Sequence, residues 1–276
     1  MNPNADHPRS LGAMWLSIYR NRDLIRQLIH REVVGRYRGS VLGLTWSFFQ
    51  PLLMLIVYTF VFSVVLKTTW RGTGGEETVS FAVILFSGLI VHGLFAECLN
   101  RAPTLILYNA NLVKRVVFPL EILPVVAMGV TIFNFIVSLL ILFGAMLFSG
   151  VGFHGTVFYL PLVLLPLVLM TLGLAWFMAA VGVYLRDLGH VVVVVTTILL
   201  FLSSVFYPIS AVPKQFRLMI YFNPLTFIIE QVRTVLIWGG APSWFWLMAY
   251  SSGSLCIAWL GFWLFQFTRK GFSDVL

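Results

Sequence analysis

The stretch Ile122–Phe148 reads ILPVVAMGVTIFNFIVSLLILFGAMLF and carries no charged side chain. At 1.5 Å of rise per residue, a helix over this stretch is about 40 Å long. The hydrocarbon core of a bilayer is about 30 Å thick, and about 20 apolar residues cross it. The stretch therefore predicts a membrane-spanning helix, and the rest of the chain has to be interpreted in a bilayer rather than in water.

Five further apolar runs meet or approach the length of a span. They occupy residues 42–66, 79–96, 157–184, 191–207 and 244–267. Hydrophobic residues make up 59% of the 276-residue chain and charged residues 10%, whereas soluble domains average about 25% charged. We therefore predict an all-α polytopic membrane protein with six transmembrane helices. So many spans leave no room for a separate soluble catalytic domain.

The basic residues that give the chain its net charge of +8 are distributed unevenly. If both termini lie on one side, that side carries 13 of the 18 lysines and arginines. The positive-inside rule then places both termini in the cytoplasm. An excess of this kind reports topology and contact with anionic lipids, so we expect membrane lipids and no nucleic acid as partners.

Residues 1–40 form a cytoplasmic N-terminal segment that holds the longest polar stretch. Between Asp23 and Val33, apolar side chains recur at helical spacing and arginines take the other positions. The pattern predicts an amphipathic helix on the cytoplasmic membrane surface, with its apolar stripe toward the lipid. A solvated helix packed on a partner domain is the alternative. A tight turn at Arg38-Gly39-Ser40 then leads into the first span.

Residues 213–238 follow the fifth run and are rich in apolar side chains. The pattern predicts two short helices, at Pro213–Tyr221 and Leu225–Trp238, and the second would extend only about 21 Å, too short to cross a bilayer. Asn223-Pro224 is a helix-start signal, with a capping side chain followed by proline at the first helical position. The pattern after it predicts one apolar face, with Glu230 and Arg233 off that face. We predict a re-entrant hairpin between helices 5 and 6 that lines or caps a pathway on the outer side. The apolar face comprises Leu225, Ile228, Ile229, Val232, Val235 and Leu236.

Polar side chains within the spans are few. Glu97 and Arg101 stand four residues apart, so they are expected to pair along one helix face. The pair is either structural or part of a polar seam at the cytoplasmic mouth of a pathway. Small residues in the fourth run predict close helix packing. They are Gly173, Ala175, Ala179 and Gly182.

The sequence lacks the common signatures of catalysis. It has no G-x-x-x-x-G-K-[ST] phosphate loop, no metal-ligand spacing and no aspartate pair suited to magnesium on a lipid diphosphate. We expect no catalytic residue, metal or cofactor in this chain. A membrane transferase is therefore a weak alternative, although the sequence leaves it open.

Several motifs occur in a fixed order and together resemble one family. They are RYRGSVLGLTW at residues 36–46, QPL at 50–52, NLVKRVVFPLEILP at 111–124, VFYPI at 205–209, NPL at 223–225 and APSW at 241–244. Over about residues 23–270 the chain resembles the ABC-2 type permeases that export polysaccharides or polyol phosphates. The first motif is more similar to O-antigen and teichoic-acid exporters than to capsule exporters.

The resemblance implies a bacterial inner-membrane homodimer, with two copies of a separate ATPase subunit that binds ATP and Mg²⁺. It implies an ABC-2 transmembrane domain at residues 41–270 and a cytoplasmic tail at 271–276. A coupling helix would lie at about 101–112 and a periplasmic gate at 213–238. The implied ATPase contacts are Arg101, Leu105, Tyr108 and Asn109, with Arg186 and Asp187 as a smaller second contact. The implied gate residues are Phe216, Asn223, Pro224, Glu230 and Arg233.

The substrate implied is a lipid-linked polysaccharide, for which we state a mechanism as a hypothesis. Arg31, Arg36 and Arg38 would bind the polyprenyl diphosphate headgroup as it arrives from the inner leaflet; topology and lipid anchoring are their alternative role. The candidate channel-lining rings are Tyr58, Phe62, Trp259 and Trp263. Aromatic residues are also common at membrane–water interfaces and in helix packing, so these roles are the alternative. A teichoic-acid or capsule exporter, a drug or lipid exporter and a polyprenyl-sugar transferase remain open.

Overall fold

The computed structural model describes residues 9–36, 38–66, 80–113 and 118–275 of the protein. These residues are helical, turn or irregular, and none of them lies in a β-strand. The polar, glycine-rich loop expected at residues 67–78 lies outside the described residues. The all-α class predicted from the sequence is therefore confirmed for the described part of the chain.

The helices follow the order of the apolar runs. We number the longer ones α1 (Leu11–Arg20), α2 (Arg22–Arg36), α3 (Trp46–Tyr58), α4 (Phe81–Arg101), α5 (Ile122–Phe148), α6 (Leu160–Gly182), α7 (Leu188–Phe201), α8 (Arg217–Phe222), α9 (Pro224–Leu236) and α10 (Trp244–Thr268). Short segments at Leu105–Tyr108, Ala110–Val113 and Phe272–Val275 complete the α-helices of the described residues.

Among the described residues, five helical segments are long and apolar enough to cross a membrane. They are Gly43–Val65, Phe81–Tyr108, Ile122–Phe148, Gly155–Gly182 and Trp244–Gly271. A polytopic membrane protein is thus the architecture, as the sequence predicted. Only the first part of the run at residues 191–207 is α-helical, as part of α7, whose 14 residues extend about 21 Å. That length is shorter than a bilayer core, so the sixth span stays a prediction.

Helix α4 lies at the centre of the bundle, where it packs against α5, α6, α7 and α9. Most of its side chains are buried, which fits its apolar sequence on every face. Helices α6 and α10 also pack closely, because glycines meet at their crossing. A Cβ atom on Gly261 would overlap the carbonyl oxygen of Gly173. The four small residues predicted to pack in the fourth run are all buried.

The first span differs from the others in its exposure. Leu55 is the only residue of α3 that is buried, and Pro51 lies inside the helix as expected. Beyond Tyr58 the backbone continues as a π-helix over Thr59–Val65, which the sequence did not predict. Most of the apolar surface of this span therefore has no contact within the described chain.

The helix-start signal at residues 223–224 is confirmed. The side-chain oxygen of Asn223 accepts a hydrogen bond from the N–H of Leu225 at 2.9 Å, and Pro224 is the first residue of α9. The apolar face predicted for α9 is fully buried against α4 and α6. Arg233, predicted to lie off this face, is nevertheless buried, because its side chain is only 1% exposed.

Candidate functional site

The interface helix α2 lies against α5, and its apolar stripe contacts the protein itself. Ile25 and Val33 are buried, and the side chain of Ile29 packs on Gly129 of α5, where a Cβ atom would displace it. The prediction that this stripe faces the bilayer is therefore wrong, because its side chains face α5. Burial of aliphatic side chains against α5 offsets the entropy cost of ordering a helix with four arginine side chains. Helix α2 is therefore held by the transmembrane bundle.

Two ion pairs cross between α2 and the end of α4. Arg36 Nη2 lies 2.8 Å from Glu97 Oε1, and Glu32 pairs with Arg101. Within each helix the two charged residues are four apart, so they share a face. Asn134 of α5 donates from Nδ2 to both Glu97 oxygens, at 2.8 and 3.0 Å. Glu97 and Arg101, which were expected to pair with each other, each take a partner on α2 instead.

A cavity of about 410 Å³ lies between α2 and the segment that follows α4. Its polar lining includes Arg31, Glu32 and Arg101, and the Nη1 atom of Arg101 is buried with no hydrogen-bond partner among the described residues. The cavity therefore joins a candidate for headgroup binding with candidates for ATPase coupling. The coupling candidates that line it are Arg101, Leu105, Tyr108 and Asn109.

The three arginines proposed for the headgroup have different surroundings. Arg31 lines the cavity, whereas Arg36 is paired with Glu97. Arg38 is exposed in the turn before the first span, where its backbone N–H donates to the Gly35 carbonyl at 3.3 Å. Of the three arginines, Arg31 alone lines the cavity.

The coupling segment, residues 101–112, continues from α4 through a short 3₁₀ helix, Ala102–Thr104. Its Pro103 packs on Gly182 of α6, where an added Cβ atom would overlap the proline carbonyl. Tyr108 is 85% exposed at the far end. This segment therefore combines a tight contact with the bundle and a ring that is open to a partner. Lys114 to Val117 of the family motif lie outside the described residues.

The second candidate contact lies at the same end of the molecule. Arg186 and Asp187 are exposed in the turn between α6 and α7. The 3₁₀ helix Ala102–Thr104 contacts both of those helices. One protein surface can therefore reach both candidate contacts.

Arg233 holds α9 in the bundle through a set of buried acceptors. Its guanidinium donates to the carbonyl oxygens of Ile84 at 3.2 Å, Ser204 at 2.6 Å and Val205 at 3.1 Å. It also donates to Glu230 Oε1 at 3.0 Å. An arginine suits this position because one guanidinium carries five N–H donors. Arg233 thus ties α9 to the start of α4 and to the segment after α7.

The remaining gate candidates differ in exposure. Asn223 Nδ2 donates to the Leu199 carbonyl of α7 at 2.8 Å, and Tyr250 Oη donates to the Pro224 carbonyl at 2.9 Å. Phe216 is 50% exposed in the 3₁₀ turn before α8. Helix α9 is therefore fixed to α7 and α10 at its first turn, while the segment before it presents aromatic surface.

The aromatic pairs proposed for the channel take part in packing. The Phe62 ring lies 5.1 Å from that of Phe81, between the first and second spans. Trp259 donates from Nε1 to the Arg9 carbonyl at 3.1 Å, and Trp263 stacks on Phe267. Tyr58 is half-buried and packs against the core. Trp259 and Trp263 remain more than one-third exposed.

Residues 23–237 match the family described as ABC-2 type transporter. The chain belongs to this family.

Its relatives include two O-antigen export permeases and a polysialic acid transport protein. The chain is 28% identical to the O-antigen export system permease protein RfbA of Myxococcus xanthus over 259 residues, covering 93% of this chain and 96% of the relative. It is 22% identical to RfbA of Klebsiella pneumoniae over 255 residues, covering 92% and 95%. It is 25% identical to the polysialic acid transport protein KpsM of Escherichia coli over 216 residues, covering 78% and 81%.

In this ABC-2 permease, Glu121 organises a buried cluster that sequence analysis missed. Its carboxylate accepts from Ser17 Oγ at 2.8 Å and from Arg269 Nη1 at 2.6 Å. Its backbone carbonyl accepts from Trp176 Nε1 at 2.8 Å. The cluster therefore joins α1, α5, α6 and the end of α10. Its one signal in the sequence was a lone carboxylate at the start of an apolar run.

Proposed function

We propose that this chain is the membrane-spanning permease subunit of an ABC exporter that moves polyprenyl-diphosphate-linked O-antigen polysaccharide from the cytoplasm to the periplasm. The observation that carries the proposal is similarity to O-antigen export permeases over more than nine-tenths of both chains. The multi-span helical fold fits such a role. ATP and Mg²⁺ would be bound by a separate ATPase subunit, so this chain supplies no catalytic residue.

The proposed topology has six spans, both termini in the cytoplasm and a bacterial inner-membrane location. The sixth span combines α7 with the residues that follow it to Tyr207. The excess of lysine and arginine on the side of the termini supports the orientation. Helices α8 and α9 would form the re-entrant hairpin of the periplasmic gate. The buried acceptors around Arg233 support this, because charged groups at membrane depth need protein partners.

The proposed assembly is a homodimer with two ATPase subunits. Its support is the unpartnered apolar surface of the first span and of α7. Leu53, Ile56 and Val57 of α3 are each about half-exposed, as are Val191 and Val194 of α7. Lipid or a second copy has to cover such surfaces. Two copies would enclose the channel, and aromatic rings along it would stack on successive sugars without holding any one tightly.

Coupling would begin where the ATPase presses on residues 101–112. Movement of Pro103 reaches α6 through the contact with Gly182. Movement of Arg101 reaches α2 through Glu32. The same push would therefore move a transmembrane helix and the interface helix together. Arg186 and Asp187 would add the smaller second contact with the ATPase.

Capsule export is the second candidate, because the chain is also similar to KpsM over 78% of its length. Teichoic-acid export would use the same machinery. A polyprenyl-sugar transferase is a different class, and it predicts an activity that does not need the ATPase partner.

Gene deletion tests the proposal, with lipopolysaccharide examined on gels and polyprenyl-linked glycan extracted from the same cells. We expect the O-antigen ladder to disappear and the glycan to accumulate on its cytoplasmic carrier. An unchanged ladder would contradict O-antigen export and favour the capsule or teichoic-acid alternative. Loss of the ladder without intracellular polymer would point to synthesis and hence to the transferase.

A further inference from the structure

We propose that residues 269–272, which we call the C-terminal tie, link the two candidate ATPase contacts, with Arg269 and Glu121 as the positioning residues of this link. The inference rests on the proposed function. One contact is the coupling segment, from which the chain returns to the bundle at residues 118–121. The other contact is the turn between α6 and α7.

Arg269 holds the chain where it returns from the coupling segment. Its Nη1 atom donates to Glu121 Oε2 at 2.6 Å, and its Nη2 atom donates to the Phe118 carbonyl at 2.9 Å. One planar guanidinium therefore fixes both ends of residues 118–121. Helix α5 begins at the next residue, so a movement of these four residues is also a movement of α5.

The ion pair is shielded from water and held from other sides. The side chains of Arg269 and Glu121 are 15% and 12% exposed, so salt and solvent screen their attraction only weakly. Trp176 of α6 donates to the Glu121 carbonyl, and Ser17 of α1 donates to the second carboxylate oxygen. Displacement of Glu121 would therefore disturb α6 and the end of α10 together.

The other end of the C-terminal tie packs beside the second contact. Tyr184 Oη donates to the Thr268 carbonyl at 3.2 Å, and a Cβ atom on Gly271 would overlap that hydroxyl. The Phe272 ring is fully buried and lies 6.3 Å from the Tyr184 ring. Tyr184 is two residues before Arg186, so the C-terminal tie reaches the turn that carries the second contact.

The C-terminal tie makes the two contacts move as one. Pro103 joins the start of the coupling segment to α6 through its contact with Gly182. Arg269 does the same for the chain beyond the coupling segment, because its own segment is packed on Tyr184. A push from the ATPase on either contact would therefore reach α5, α6 and α10 at the same time.

The test is glycan export per ATP by the permease and its ATPase subunit in proteoliposomes with polyprenyl-diphosphate-linked O-antigen. Arg269→Lys keeps the charge, but an ammonium group does not reproduce the planar fork that reaches both acceptors. We expect the variant to fold, to co-purify with the ATPase and to hydrolyse ATP. Glycan exported per ATP should fall about fivefold or more, which corresponds to one lost hydrogen bond. Arg20→Lys, at an exposed position of α1, is the matched control and should export normally.

Tyr184→Phe tests the other end of the C-terminal tie. It removes the hydroxyl that donates to Thr268 and keeps the ring against Phe272. We expect a smaller loss of export per ATP than for Arg269→Lys. If both residues act through the C-terminal tie, the double variant should lose little more than Arg269→Lys alone. Losses that multiply in the double variant would show independent effects and would overturn the link.

Hydrogen–deuterium exchange tests the same link without the glycan. Addition of ATP to the unaltered complex should change exchange at residues 118–121 and at residues 183–187 together. In Arg269→Lys the change should reach only one of these two segments. Equal changes in the variant and the unaltered complex would overturn the inference, as would no change in either segment while ATP is hydrolysed.

Two further outcomes separate this inference from the proposed function. Normal export per ATP by Arg269→Lys would overturn the inference alone, and so would an equal loss of ATP hydrolysis and export, which indicates a purely structural role. An unaltered complex that hydrolyses ATP without exporting glycan would contradict the proposed function. The exchange measurement would then still decide whether Arg269 links the two contacts.

Discussion

Arg36 of the interface helix lies 2.8 Å from Glu97 of α4, although 60 residues separate them in the chain. Both side chains are about one-third exposed, so the pair contributes about 1 kcal/mol or less. Its importance is geometric, because with Glu32 and Arg101 it fixes the register of α2 on the transmembrane bundle. Changes at this pair should therefore affect export more than stability.

Charge reversal tests that relationship. Arg36→Glu alone places two carboxylates together and should reduce polysaccharide export, whereas Arg36→Glu combined with Glu97→Arg should restore much of it. The measurement is the exported ladder, together with the apparent melting temperature in detergent. Arg20→Glu, at an exposed position of α1, is the control. If the single reversal and the control export equally, the ion pair has no part in coupling.

Loss of Arg233 should be far more damaging. Arg233→Met leaves Glu230 and three buried carbonyl groups without their donor, and breaking a buried pair costs about 3–5 kcal/mol. We expect the variant to lose most folded protein, as shown by size-exclusion profiles and protease digestion. Arg233→Lys should rescue only partly, because an ammonium cannot reach all four acceptors. Lys214→Met, at an exposed position, should behave normally; a stable Arg233→Met protein would contradict this account.

The close contact where α6 crosses α10 predicts that a larger side chain there lowers stability. Gly261→Ala puts a methyl group against the Gly173 carbonyl and should cost about 1–3 kcal/mol. Gly253→Ala lies on the same helix and meets no atom within 4 Å, so it should be neutral or slightly stabilising. Thermal unfolding of the two variants in one detergent gives the comparison. Equal melting temperatures would mean that the helices do not meet at this point.

The contact between Pro103 and Gly182 should matter for coupling. Gly182→Ala displaces the proline carbonyl, so the start of the coupling segment has to move. We expect export to fall while the permease remains folded and still co-purifies with the ATPase. Gly93→Ala, which has open space around its Cβ position, is the control. Normal export by Gly182→Ala would show that this contact does not transmit movement from the coupling segment to α6.

Local signals in the sequence predicted local structure well. The cap at Asn223, the first turn at Pro224 and the buried face of α9 follow from a side-chain hydrogen bond, a fixed backbone angle and helical periodicity. These depend on neighbouring residues only. The five long spans likewise follow from apolar length, which a bilayer imposes regardless of tertiary contacts.

The sequence did not predict which residues distant in the chain would pair. Glu97 and Arg101 have the spacing of an intrahelical pair, but α2 brings Arg36 and Glu32 to them, and the sequence does not show which helices are neighbours. Helical spacing placed Arg233 off the apolar face of α9, and that spacing does not show that the side chain is buried. Its burial depends on the backbone carbonyl groups of Ile84 and Ser204, which accept its N–H groups and which the fold brings next to α9.

Reconstituted transport tests the central claim most directly. The permease and its ATPase subunit would be placed in proteoliposomes loaded with polyprenyl-diphosphate-linked O-antigen in the leaflet that faces the ATPase. Glycan that reaches the opposite side would then be detected by an enclosed glycosidase. The account predicts ATP-dependent cleavage that stops when the permease is omitted. Cleavage independent of ATP, or none at all with an active ATPase present, would contradict it.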